Sequence, residues 1–405
     1  MTAPTPRARL LTLPFVLAAV VSLLQGMSFF LFVHFPRFLT DLGANEVVVG
    51  FVVSAAAVAS IAVRPRVGIA ADRRGRRPLI VSGGALNAAV IPLYLTVHSL
   101  GPWVVVVRLL HGVASALVFT ALFIYGADHV PESRRTEGLA LFGASSMIPM
   151  AAGGWVGDAV LGAGGFRVLF LVALGFAAAG LVLSLPLPEP RRAAAAPGET
   201  RGSFRHALAQ RDLVPLWFLS FAFAVVLTGY FTFMRTFVDE TRVGSVGSFF
   251  ASYAMAALAV RALAGWLPDR VGRRRVFYPS FGAIAAAFVL LSMAHTAPPV
   301  VAAGVLCGIG AGYAFPILYA MVVERADDAE RGSAVALFTA LFDAGTLAGS
   351  PALGWLIVRF GYGPMFATAA ALMVASAALF ALWDGDLRRQ GRATGLDEPV
   401  AAPEA

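Results

Sequence analysis

Of the polar side chains inside the long apolar runs of this 405-residue chain, five stand out as candidates for chemistry: Gln25, Arg108, His111, Tyr230 and Asp343. A charged group at the centre of a bilayer is costly, so each ionisable one is a functional candidate by default. Arg108 lies several residues into its run, in Arg108-Leu-Leu-His111-Gly112. It could bind an anion or sense the protonation of a carboxylate; the plainer alternatives are a structural salt bridge or partial snorkelling. His111 sits one helical turn further along nearly the same face, and an imidazole can exchange protons near neutral pH, although a lone helical histidine is more often a packing residue. Asp343, in Leu341-Phe-Asp-Ala-Gly-Thr346, is the acid nearest the centre of a run. A carboxyl moving between an apolar and an arginine-facing setting takes up and releases a proton; the alternative is an interhelical hydrogen-bonded tie. Gln25 and Tyr230 are polar groups that could line a substrate path. No P-loop, nucleophile elbow or metal-ligand cluster is present, and without a lysine a P-loop cannot form. These observations predict a protein that is not an enzyme and holds no cofactor, with a proton gradient as its expected energy source.

A second kind of chemistry sits between the runs. The stretch Gly68-Ile-Ala-Ala-Asp72-Arg73-Arg74-Gly75-Arg76-Arg77 returns 197 positions later as Gly265-Trp-Leu-Pro-Asp269-Arg270-Val-Gly272-Arg273-Arg274. Gly75 and Gly272 permit a tight reversal, and Gly68 and Gly265 permit close helix approach. Asp128 and Glu324, 196 positions apart, end the fourth and tenth runs, where they could pair with the arginines of the first and second copies. Such pairs would latch two halves of the molecule and part during a conformational cycle; as positive-inside anchors alone they would not need the aspartates or the glycine spacing.

The elements that must position these residues are membrane helices. Hydrophobic residues make up 59% of the chain and charged residues 13%, against about 45–50% and about 25% in a soluble domain. A net charge of +8 would suggest a nucleic-acid partner in a soluble protein; here the arginines fall between apolar runs, so no nucleic acid is expected. A span needs about 20 apolar residues, and twelve runs meet that length: roughly 10–35, 46–70, 78–97, 102–127, 138–161, 166–187, 213–238, 246–268, 276–295, 298–323, 332–358 and 362–383. Continuous spans of this length are helices, since lipid offers the backbone no hydrogen bonds. Arginines concentrate on one set of loops, which places both termini in the cytoplasm. The expected organisation is a six-helix bundle over 1–187, a Pro/Ala/Gly/Arg-rich cytoplasmic linker over 188–212, a second bundle over 213–385 and a disordered cytoplasmic tail over 386–405. Parallel repeats of this kind accompany alternating-access transport.

These residues resemble the major facilitator superfamily. Its loop form G-x-x-x-D-R-x-G-R-R is fulfilled by Gly68, Asp72, Arg73, Gly75, Arg76 and Arg77, and the second copy matches it as well. The resemblance runs from about Leu10 to Trp383. Arg108-Leu-Leu-His111-Gly112 is similar to the R-x-x-Q-G of proton-coupled exporters, with His111 in place of glutamine. The exporter signature ending Gly-Pro-x-x-Gly-Gly is met only in part, by Gly153-Gly154 with Pro149 displaced, and the first span lacks the acid many drug/proton antiporters carry. The resemblance implies a twelve-helix, two-bundle, all-α integral membrane fold in the inner membrane of a bacterium, with lipid and a small molecule as partners and a monomeric state. It points to proton-coupled export of the sugar-efflux or multidrug-efflux type. Proton symport or facilitated uptake of a sugar or organic anion remains the alternative, ahead of a non-transporting receptor.

Overall fold

The computed structural model describes residues 11–131, 135–189, 208–327 and 331–389. Helices start where the sequence supplies a pre-set φ: prolines occupy the first turn of Leu13–Phe30, Arg77–Val90, Pro102–Asp128, Val214–Thr241 and Ala297–Arg325. There the missing N–H is one that a helix leaves unpaired anyway. At Val246–Ala264 the start is instead a side-chain cap, with the Ser248 N–H donating to Ser245 Oγ at 3.0 Å.

Eleven of the described helices are long and apolar enough to cross a membrane. One of them, Leu141–Ser184, covers 44 residues, about 66 Å of helix against a hydrocarbon core of about 30 Å. Gly164 (φ −161°) and Gly165 (φ +65°) break it in the middle. It is therefore the fifth and sixth spans read together, and twelve spans result. The first span continues from Leu13–Phe30 through a 3-10 turn, Leu31–His34, into Phe35–Asp41. The second belongs to one helix, Glu46–Arg74, that carries the backbone of Asp72 and Arg73 in its last turn. The helix of the twelfth span, Tyr362–Arg389, extends past the boundary expected at 385, so 386–389 are helical rather than part of a disordered tail. The rest of that tail, and residues 190–207 of the linker, lie outside the described residues.

The spans pack into two compact units, and each carries one copy of the Gly–Asp–Arg loop. In the first unit, which takes residues up to Phe35 and resumes at Val58, the first span lies along the fifth and sixth and the third along the fourth. Phe15, Val21, Ile80, Leu122, Tyr125 and Phe142 are part of its core. In the second unit the tenth span packs on the eighth and ninth, and the seventh packs on the eleventh. The seventh span is the most enclosed of the described spans. The second unit also takes Pro36–Ala57, a segment from the first half of the sequence.

Candidate functional site

In the first unit the structure brings Arg108 and His111 together. Arg108 Nη1 lies 3.5 Å from His111 Nδ1, and the guanidinium sits 5.0 Å from the Phe35 ring centroid. Arg108 Nε is buried without a hydrogen-bond partner, and among the described residues no carboxylate pairs with this arginine. The plainer alternative of a structural salt bridge therefore finds no partner there. His111 is 2% exposed. Tyr94 Oη lies 3.0 Å from its Nδ1, Phe29 stacks on its ring at 4.8 Å and Phe32 meets it edge-on at 4.4 Å. Arginine has only donors and the tyrosine hydroxyl can donate, so Nδ1 is the acceptor and the ring proton belongs on Nε2. Sequence reasoning misses Tyr94, because nothing in its own segment, Ile91-Pro-Leu-Tyr-Leu-Thr96, separates a buried hydroxyl with a partner from an interfacial one.

Gln25 belongs elsewhere. Its Nε2 donates to the Ala177 carbonyl at 3.2 Å, its Oε1 accepts from Asn87 Nδ2 at 2.9 Å, and the same Asn87 nitrogen reaches Ser28 Oγ at 3.2 Å. This network ties the first, third and sixth spans of one unit, and a buried polar group of this kind is held because leaving it unpaired costs more.

In the second unit Tyr230 is fully buried. Its ring lies against Phe231, Phe249, Tyr253 and Phe288 at 4.6–5.9 Å between centroids. Asp343 is half-buried on the helix Arg331–Phe360, next to Phe342, which packs on Phe223, Phe315 and Phe338. Arg108 and Asp343 thus lie in different units.

The two loops share their turn. Gly75 has φ +95° and Gly272 φ +94°, a region where an L side chain is strained. The arginine that follows each glycine finds the acid ending a later span of its own unit. Arg76 Nε lies 2.9 Å from Asp128 Oδ2, and Arg273 pairs with Glu324. Beyond that the copies differ. In the first, the Glu189 carboxylate accepts the backbone N–H of Arg76 at 2.7 Å and of Arg77 at 3.0 Å, while the Arg77 guanidinium donates to the Leu185 carbonyl. In the second, the helix breaks at Gly265 and resumes as Leu267–Val271, with Pro268 in its first turn; Arg270 lies over Trp266 and Arg274 over Tyr278. A buried pair, Arg325 with Asp384, stands next to this loop's Glu324. Gly68 and Gly265 are half-buried and exposed, and neither shows a neighbouring helix pressed against it; the side chains of Asp72, Arg73 and Asp269 lie outside the described set. Two residues of this region escape sequence reasoning. Glu189 stands between two prolines and reads as linker, and Asp384 reads as the end of the last span.

A model of the Major Facilitator Superfamily matches residues 15–245 and 240–402. Relatives include uncharacterized MFS-type transporters of Burkholderia mallei (strain SAVP1), 26% identical over 89% of this chain and 88% of the relative, and of Escherichia coli (strain K12), YhhS, 24% identical over 85% of each. Similar solved structures include the nucleoside transporter NupG (TM-score 0.75, 15% identity, 92% of this chain and 99% of that one). The human organic anion transporter MFSD10 (0.69, 17%, 90% and 98%) and a D-xylose-proton symporter (0.73, 18%, 90% and 96%) are also similar. At such identities the structures speak for the fold, and the family match covers nearly the whole chain with both loop copies inside it. The chain belongs to the Major Facilitator Superfamily and is a multi-pass membrane transporter.

Proposed function

We propose that this transporter is a secondary active one that exports a small molecule by alternating access, with protons moving inward in exchange. The observation that carries this reading is Arg108: a guanidinium on a membrane span, with a buried Nε lacking a partner and no carboxylate beside it among the described residues. A cation kept there at such cost has work to do with a ligand or with a titrating acid. Asp343, half-buried on its span, is the group we assign to carry the proton, and His111, held by Tyr94, keeps Arg108 company as a donor-acceptor relay. The arginine census supports a bacterial inner-membrane location with both termini in the cytoplasm, and the chain acts as a monomer in this reading.

The test uses inside-out vesicles with an acidified lumen and an entrapped pH-sensitive dye. Addition of a transported compound should drive protons out of the lumen. Arg108→Ala and Asp343→Asn should both abolish that signal, and coupled transport surviving in Asp343→Asn removes the proton carrier from this residue. The second reading, uptake of an organic anion or sugar, is favoured by the unpaired charge of Arg108. It predicts accumulation in right-side-out vesicles, lost in Arg108→Ala and retained in Asp343→Asn.

A further inference from the structure

Two neighbouring hydrogen-bond donors of the first unit have nothing to donate to among the described residues. Arg108 Nε and His111 Nε2 are both buried without a partner, and the two residues stand one turn apart on the helix Pro102–Asp128. The other ring nitrogen of His111 is already used. Arg108 Nη1 faces His111 Nδ1 at 3.5 Å, and Tyr94 Oη lies 3.0 Å from the same Nδ1. Because Nδ1 accepts, the unpartnered Nε2 carries the ring hydrogen. A buried donor left unmet is unfavourable, so both point to an acceptor that arrives with a ligand. Rings wall this corner. Phe29 stacks on the His111 ring at 4.8 Å and packs on Phe119 at 5.0 Å, and Phe32 meets the imidazole edge-on at 4.4 Å. His111, Phe32 and Tyr94 are buried, whereas Arg108, Phe29 and Phe119 are only half-buried, so the corner can be reached.

The donors select the ligand. The corner offers one permanent positive charge and two unmet N–H groups. Its one imidazole acceptor, Nδ1, is taken. A sugar or other polyol brings a hydroxyl hydrogen with every such oxygen, and here those hydrogens would find no side-chain acceptor left over. A carboxylate or sulfonate only accepts, and its charge meets that of the guanidinium. Aromatic walls favour a flat apolar body, which they take by stacking and edge contacts. We propose that this corner binds an organic anion with an aromatic body, with Arg108 gripping the acidic group and His111 Nε2 donating a second hydrogen bond to the ligand. His111 is then a specificity-determining residue, because it adds a donor and no acceptor. This inference rests on the reading of Arg108 as a ligand-facing group and names the class of small molecule; it holds for either direction of transport.

The probe is benzoate, titrated by calorimetry into the purified transporter in detergent, where no gradient or transport is needed. Acetate carries the charge without the ring, benzamide the ring without the charge, and glucose the hydroxyls. Benzoate should bind, and each of the other three should bind at least about tenfold more weakly. His111→Leu removes the donor and should raise the benzoate Kd about tenfold, whereas His111→Gln keeps an Nε2–H donor and should stay within about threefold of the parent. Arg108→Gln should abolish binding, and Arg359→Gln, an exposed arginine outside the corner, should change nothing. The proposal is overturned by acetate or glucose binding as tightly as benzoate, or by benzoate binding that survives Arg108→Gln. It is equally overturned by a Kd in His111→Leu within about twofold of the parent, or by equal losses in His111→Leu and His111→Gln on protein that stays monodisperse. Benzoate that binds but moves no protons in the vesicle assay counts against the coupled exporter and upholds the site. A vesicle signal for another compound, with no benzoate binding, upholds transport and overturns the site.

Discussion

The two copies of the Gly–Asp–Arg loop start from nearly the same sequence and end in different surroundings. Both reverse the chain on a left-handed glycine, and both hand the next arginine to an acid at the end of a later span of the same unit. The first is then fixed from outside by Glu189, whose carboxylate takes two backbone N–H groups. The corresponding stretch of the second half reads Asp384-Gly385-Asp386. Next to the second copy's acid stands Arg325, buried against Asp384; at the equivalent positions the first copy has His129, stacked on Tyr125, and Pro188. The first turn thus carries a solvent-facing carboxylate cap, while the acid that pairs with the second stands beside a buried ion pair. The difference teaches that the loop motif specifies the turn and its first ion pair, while what stands around each pair comes from distant residues that share no motif.

The largest expected effect separates the copies by burial. Arg325 and Asp384 side chains are each 3% exposed. Removing one partner leaves an uncompensated buried charge, so Arg325→Ala should destabilise by about 3–5 kcal/mol, while the double change Arg325→Met with Asp384→Leu should recover most of it. Thermal unfolding in detergent, followed by tryptophan fluorescence, reads both. If the single and double variants unfold alike, the cost does not come from an uncompensated buried charge.

Next in size are the two turns. Alanine at a left-handed glycine costs about 1–2 kcal/mol, and Gly272→Ala should show that cost alone, since nothing surrounds it. Gly75→Ala should cost more, because its methyl would displace the Glu189 carboxylate. Equal melting shifts would mean that Glu189 yields freely and would erase the asymmetry.

Glu189→Gln removes the charge from two hydrogen bonds to exposed backbone, a loss of about 1 kcal/mol. The sharper readout is local: tryptic cleavage after Arg74 or Arg76 should accelerate, with cleavage at Arg273–Arg275 unchanged. Acceleration at both loops would show that the anchor is shared rather than private to the first copy.

The smallest effect is in the loop ion pairs. Asp128→Asn and Glu324→Gln should each cost below about 1 kcal/mol, the former more because Asp128 is the less exposed acid, and both should shrink further in high salt. Their side chains are 31% and 48% exposed. A larger loss from Glu324→Gln would mean that the neighbouring Arg325–Asp384 pair depends on it, which a double-mutant cycle would measure.

Much of this is legible in the sequence. The twelve spans, the break between the fifth and sixth, the glycine turns and the acids that end the spans beside each loop all follow from local properties: runs of apolar residues, an achiral backbone position, a charge at a helix end. Other features are not legible. Glu189 reads as linker because a carboxylate between prolines shows its role only when two N–H groups face it. Gln25 and Arg108 look alike as polar residues in apolar runs, and only packing separates a tie among three helices from a guanidinium whose Nε has no partner. Arg37 and Asp239 are two more charges near helix ends until the chain brings them to 3.0 Å.

What the sequence determined alone is therefore what depends on neighbours in the chain: how many helices there are, where they turn, which superfamily they form and which residues carry charge into the spans. What the tertiary structure decided is which distant group each of those residues meets, and which unit Pro36–Ala57 joins. The reason is physical: hydrophobic length and backbone conformation are set within a few residues, whereas hydrogen bonds and ion pairs act over about 3 Å through space between residues that stand far apart along the chain.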